Sequence, residues 1–148
     1  MVKFNALQKK ISKEVWEKEN KPVMVIHTNG GMMGENEKPF AWARDMPIDI
    51  AQAIVDRYHK KYTIYQCTKL NSPKVVNANI IEYNMEMQLS SIEFLSVILH
   101  SKKRVLIDSC LQHAAAALKL PSLVLWNGTS PKVFGYDMHE NMETIKPH

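Results

Sequence analysis

The sequence predicts an α/β domain with a mostly parallel sheet flanked by helices. Three observations carry this. Short, continuous apolar runs such as Val23-Met24-Val25-Ile26-His27 recur along the chain, as expected of strands buried on both faces. Segments with helical spacing separate them. Glycine, proline and polar turn residues punctuate the joins. Alternation of this kind implies βαβ units with right-handed crossovers.

The elements follow in order. Phe4, Leu7, Ile11 and Val15 place one narrow apolar stripe on a helix over residues 5–20, which Pro22 ends. The first strand, 23–27, runs into Thr28-Asn29-Gly30-Gly31. A long loop over 32–43, with Gly34 and Pro39, has the length of a segment that closes over a ligand. Pro47 opens a helix in its first turn, with Ile50, Ala51, Ile54, Val55 and Tyr58 as its apolar face. Thr63-Ile64-Tyr65-Gln66-Cys67 is a second strand. Val75-Val76 and Ile80-Ile81 suggest a short edge element. Ser90 or Ser91 caps a helix over 92–99. Arg104-Val105-Leu106-Ile107-Asp108 is a strand, 111–120 an alanine-rich helix stopped by Pro121, and Ser122-Leu123-Val124-Leu125-Trp126 a further strand with Trp126 in the core. Residues 1–21 read as an N-terminal helix and linker, and 22–148 as one domain. The 148 residues suffice for one core of ordinary size.

Composition narrows the function. The formal charge is +4, and the basic residues cluster at Lys9-Lys10, Lys60-Lys61 and Lys102-Lys103-Arg104 with few aromatics between them. They read as solvated ends of elements, with lysines favoured at helix C-termini, and not as a nucleic-acid stripe. Cys67 and Cys110 have no metal-ligand spacing and form no disulfide framework, so a reducing, cytoplasmic setting is expected. No apolar run has the length of a transmembrane segment, and the polar stretch from Gln8 to Lys21 does not read as a signal peptide. No Gly-x-Gly-x-x-Gly is present.

Ligands of open parallel sheets sit beyond the carboxyl ends of the strands. Three such ends carry chemistry. At His27-Thr28-Asn29-Gly30-Gly31, Gly30 lets backbone approach a ligand closely. At Asp108-Ser109-Cys110 a strand enters a helix, whose free N–H groups and dipole favour phosphate. Ser109 adds a hydroxyl there, and His113 lies one turn further on. At Asn127-Gly128-Thr129-Ser130 hydroxyls line a turn. A plainer reading stands beside each: Asp108 or Ser109 as a helix cap, His113 on the surface, His27 as a packed histidine, Thr129 and Ser130 as turn formers.

Asp108-Ser109-Cys110-Leu111-Gln112-His113-Ala114-Ala115-Ala116-Ala117-Leu118, then Asn127-Gly128-Thr129-Ser130-Pro131 and Gly135, resemble the heptosyltransferase family, glycosyltransferase family 9. That family carries Asp-(Thr/Ser)-Gly-x-x-His-x-Ala-Ala-Ala-Leu, a strand, a Gly-x-Thr-x-Pro turn and a later glycine. Arg44-Asp45-Met46-Pro47 stands where the family has Lys-x-Trp-Pro. The resemblance implies the Rossmann-like, nucleotide-sugar-binding C-terminal half of a two-domain GT-B enzyme. It implies that Asp108, Ser109, Cys110, His113 and Thr129 border the donor, that Arg44 neutralises phosphate charge, and that His27 and Gly30 lie nearby. It implies no metal and no cofactor besides the sugar-nucleotide substrate. The acceptor site and catalytic base would come from an acceptor-binding domain or subunit. Cys110 departs from the family's glycine, and Gly128 is displaced by one position. A non-catalytic interaction domain that keeps the fold, or another phosphate-binding module of flavodoxin-like type, are the alternative readings.

Overall fold

The computed structural model describes residues 21–29, 45–69, 71–83, 98–107, 109–126 and 131–143. The predicted helix over 5–20 and the loop over 32–43 lie outside these residues, and only 98–99 of the helix predicted over 92–99 falls within them. Six strands form one sheet: β1 Val23–His27, β2 Thr63–Lys69, β3 Asn79–Tyr83, β4 Lys103–Ile107, β5 Leu123–Trp126 and β6 Glu140–Glu143. All neighbours are parallel, in the order β3-β2-β1-β4-β5-β6. This is the doubly wound order of Rossmann-like domains. Among the described residues lie helices α1 Ile48–Tyr58, α2 Cys110–Ala117 and the single turn α3 Pro131–Phe134, and residues 98–100 are also helical.

The central position of β1 explains its composition. Every residue of β1 is buried. Val23 and Val25 pack on one face with Leu106, Leu111, Ala115 and Trp126. Met24 and Ile26 pack on the other with Ala51, Val55, Val105 and Ile107. The alternation of a strand thus feeds two cores, one beneath α2 and one beneath α1.

Several local expectations differ from the structure. Pro47 is the residue before α1, not within its first turn, and its carbonyl accepts from Ala51 N at 3.1 Å. Ile50, expected on the apolar face, is 40% exposed. Val75 and Val76 form no strand. Val75 is buried and donates its N–H to Gln66 Oε1 at 2.9 Å, while Val76 is 66% exposed. β6 was not anticipated, because Glu140-Asn141-Met142-Glu143 shows no apolar pattern and all four residues are exposed. Its pairing with β5 is reinforced by Trp126 Nε1, which donates to Asn141 Oδ1 at 2.9 Å.

Arg104 corrects the reading of the basic clusters as uniformly solvated. It is buried at the start of β4. Its guanidinium donates to Ser122 Oγ at 2.9 Å, Ser101 O at 2.8 Å and Pro121 O at 3.0 Å. Burial lowers its pKa from the usual arginine value. One planar fork therefore ties the segments entering β4 and β5 together.

α2 ends sooner than predicted because the chain turns left-handed at Lys119, φ 58°. Leu120 N donates to Ala115 O at 2.8 Å and Lys119 N to Ala116 O at 3.0 Å, the paired bonds of a Schellman cap. A lysine at that φ carries the Cβ strain that glycine avoids. Lys119→Gly is expected to raise stability by about 0.5–1 kcal/mol, the left-handed strain relieved less the entropy that glycine adds to the unfolded chain. Chemical denaturation measures this, and an unchanged or lowered midpoint would show that the strain is relieved elsewhere.

Candidate functional site

The strand order reverses between β1 and β4. The chain leaves β1 towards α1 on one face and leaves β4 for α2 on the other, the switch point beyond which sheets of this kind hold their ligands. His27 and Ser109 border this end of the sheet, as the sequence suggested. Gly30, Arg44, Asp108 and Thr129 lie outside the described residues, and of Cys110 only the backbone is described.

The exit of β1 is stitched to β2. Thr28 N donates to Cys67 O at 3.1 Å, and Met46 N donates to Thr28 O at 2.8 Å, bringing the returning chain over the strand end. Gln66, fully buried in β2, donates from Nε2 to Thr28 Oγ1 at 2.8 Å and to Pro73 O at 3.0 Å. Asn29 Oδ1 accepts from Thr68 Oγ1 at 2.6 Å and from Lys69 N at 2.7 Å. These pairings satisfy polar groups that would be costly to bury alone. Beside them lies a crevice of about 120 Å³, walled by Thr28, Asn29, Asp45, Met46, Ile48 and Pro73. That is the liquid volume of about four waters, room for one ring-sized group.

At the other side of the switch point, Ser109 is the residue before α2 in extended conformation. Its carbonyl accepts from Gln112 N at 3.2 Å and its N–H donates to Ile107 O at 2.8 Å. Its side chain makes no capping hydrogen bond. Ser109 therefore holds the cap position without spending its hydroxyl there. The first N–H groups of α2 and this hydroxyl share one corner, a geometry that suits an anion.

His113 is exposed on α2, and its environment was not anticipated. Its Nδ1 lies 2.8 Å from the Tyr136 hydroxyl, and the two rings meet edge to face at 5.5 Å. Tyr136 in turn meets His139 at 5.8 Å. His139 is buried, accepts at Nδ1 from Ser122 N at 3.1 Å and lies with Nε2 3.0 Å from Gln112 O. The segment before β6 thus braces α2, and Tyr136 fixes the orientation of the His113 ring. Gly135, the last residue of the motif, donates its N–H to Pro131 O at 2.8 Å. A Cβ there would meet Pro131 O at 2.6 Å, so the position requires glycine. Among the described residues no group of three or more His, Cys, Asp or Glu side chains could hold a metal ion, and no helix is long and apolar enough to cross a membrane.

His27 is 1% exposed, pairs in register with Cys67, and its Nδ1 has no hydrogen-bond partner. Burial pushes its pKa from 6.5 down to about 4, opposed weakly by the backbone at Asn29. The folded state therefore holds a neutral imidazole where the unfolded chain takes up a proton. The resulting stability is complete above pH 6.5 and is lost as the pH falls towards 4. Unfolding free energy should decline across that window by roughly 1.4 kcal/mol per pH unit from this residue. Denaturation at a series of pH values should show a shallower slope for His27→Gln. An identical slope would mean that His27 does not titrate in that window.

No family profile and no curated protein matches the sequence. Solved structures match the fold. A glycosyl transferase of family 9 from Veillonella parvula superposes with a TM-score of 0.68 at 10% identity, over 99% of this chain and 44% of that one. The E. coli ADP-heptose LPS heptosyltransferase II superposes with a TM-score of 0.61 at 18% identity, over 99% and 46%. The E. coli heptosyltransferase WaaC, solved with ADP, gives a TM-score of 0.60 at 12% identity, over 85% and 39%. The chain spans less than half the length of each. Its six-stranded, all-parallel sheet with flanking helices is thus similar in fold to part of the GT-B heptosyltransferases.

Proposed function

We propose that this domain binds the nucleoside diphosphate sugar of a glycosyltransferase. The observation that carries the reading is the uncommitted Ser109 hydroxyl beside the first turn of α2, at the switch point of a sheet whose structural neighbours are heptosyltransferases. The N–H groups of that turn and the helix dipole would hold the diphosphate. Ser109 would donate a hydrogen bond to its oxygens, and His113 would donate another from Nε2 in exchange for its 3.3 Å contact with Gln112 Nε2, with Tyr136 orienting the ring. Asp108, being anionic, suits a sugar or ribose hydroxyl better than phosphate. Arg44 would add positive charge, and Cys110, Thr129, His27 and Gly30 would border the pocket. These groups would stabilise the departing diphosphate as sugar passes to an acceptor hydroxyl, with no metal or cofactor. The base that activates the acceptor, and the acceptor site, would belong to a second domain or subunit. The setting would be cytoplasmic.

One observation favours a non-catalytic domain of the same fold: Cys110 puts a side chain where the related motif has glycine. Calorimetry against a panel of nucleoside diphosphates and their sugars separates the two. Binding is expected, and none at millimolar concentration would exclude the donor-binding reading. His113→Ala should weaken binding about tenfold or more, the value of one hydrogen bond to a charged group. Its melting temperature should fall only slightly, because the residue is exposed and the contact of His139 with Gln112 O still braces α2. Cys110→Gly should bind as well or better. An early-melting His113→Ala protein with normal affinity would make His113 a structural residue.

A further inference from the structure

The opposite end of the sheet has a different chemistry. At the amino ends of β2 and β3 lies an open concavity of about 330 Å³, lined by Lys21, His59, Tyr62, Asn77, Asn79 and the first residues of β2. That volume falls at the lower end of small-molecule sites. Among the described residues no carboxylate lines it. Lys21, His59, Tyr62 and Asn77 make no side-chain hydrogen bond among the described residues. Asn77 turns the chain into β3 in the left-handed region, φ 67°.

Further cations stand close by. Lys60 and Lys61 follow His59, and Lys103 Nζ lies 5.9 Å from the centroid of the Tyr62 ring. Among the described residues, the nearest acids do not line the concavity. Asp56 accepts from Gln52 at 2.9 Å, and Glu82, near the far end of β3, pairs with Lys74 at 3.0 Å. Glu140 begins β6, four strands from β2, or roughly 19 Å across the sheet. The helix dipole accounts for Lys60 and Lys61 at the end of α1. It does not account for Lys21 and Lys103, which precede or begin strands. Concentrated positive charge repels itself, and a bound dianion relieves that repulsion.

We infer that this concavity binds a phosphate group, held by Lys21, His59, Tyr62 and Asn77. A tetrahedral dianion has enough acceptor oxygens to serve these donors at once, and charge-assisted bonds of this kind are the strong ones. The phosphate belongs either to a soluble phosphorylated metabolite or to a lipid headgroup. The site is separate from the candidate donor site, because it lies at the opposite ends of the strands.

Titration of the full chain with inorganic phosphate, followed by amide chemical shifts, tests this. Saturable shifts at Lys21, His59, Asn77 and Asn79 are expected. The Lys21→Ala/His59→Ala protein should bind about tenfold more weakly or worse, while its melting temperature and any nucleotide binding stay unchanged. Lys21→Arg should retain binding. Sedimentation with phosphatidylcholine vesicles that carry phosphatidic acid, lost in the double variant, would support the lipid source. No sedimentation alongside saturable phosphate binding would support the soluble source. Shifts that never saturate, that persist in the double variant, or that appear only around α2 would overturn the proposal.

Discussion

The structure depends on β1 being buried on both faces at the centre of a parallel sheet. Val23 and Val25 serve one core and Met24 and Ile26 the other, so neither face carries a polar side chain before His27, the last residue of the strand. The strand order also reverses at β1, which places the exit of the most buried strand beside the exit of β4. Polar groups needed at that crevice must therefore emerge from the driest part of the molecule. The bonds from Gln66 and Asn29 meet this demand. They pair Thr28, Asn29, Thr68 and the 73–75 segment with one another and leave the strand end rigid. A satisfied buried network of this sort fixes one conformation, whereas a half-satisfied one would be worse than apolar packing.

The two ends of the sheet have diverged in consequence. The carboxyl end presents polar groups, with Asp45 and Lys69 among them, and a helix start, with His27 kept uncharged by burial. The amino end carries Lys21, Lys60, Lys61 and Lys103, and within it Arg104 closes the base of β4 and β5 through neutral partners. α2 links the two ends: its first turn follows the carboxyl end of β4, and its Schellman cap returns the chain to β5. The brace from Tyr136 and His139 then connects the otherwise bare β6 to the same helix.

Strands buried on both faces announce themselves through apolar runs, which is why β1, β2, β4 and β5 were legible together with α1 and α2. β6 was not, because Glu140-Asn141-Met142-Glu143 buries neither face and gains its place from backbone pairing and from Trp126. At the candidate site, Ser109 and His113 could be singled out from their offsets at a strand-to-helix junction. Their partners could not. The Gln66 to Thr28 bond spans 38 residues and the His113 to Tyr136 bond spans 23, and no local pattern encodes such pairings. Thr28 and Asn29 did carry a usable signal, as polar residues directly after an apolar strand. Arg104 gave a misleading one, since adjacent Lys102 and Lys103 made it look like part of a solvated cluster while the strand's alternation turned it inwards.

The central claim is that ligand binds where β1 and β4 end. The most direct measurement is a crystal structure of the chain grown with a nucleoside diphosphate. Diphosphate oxygens within hydrogen-bond distance of the first N–H groups of α2 and the Ser109 hydroxyl, with the remainder lying towards Thr28 and Asn29, is the predicted result. A nucleotide bound away from the carboxyl ends of β1 and β4, with α2 untouched, would contradict it.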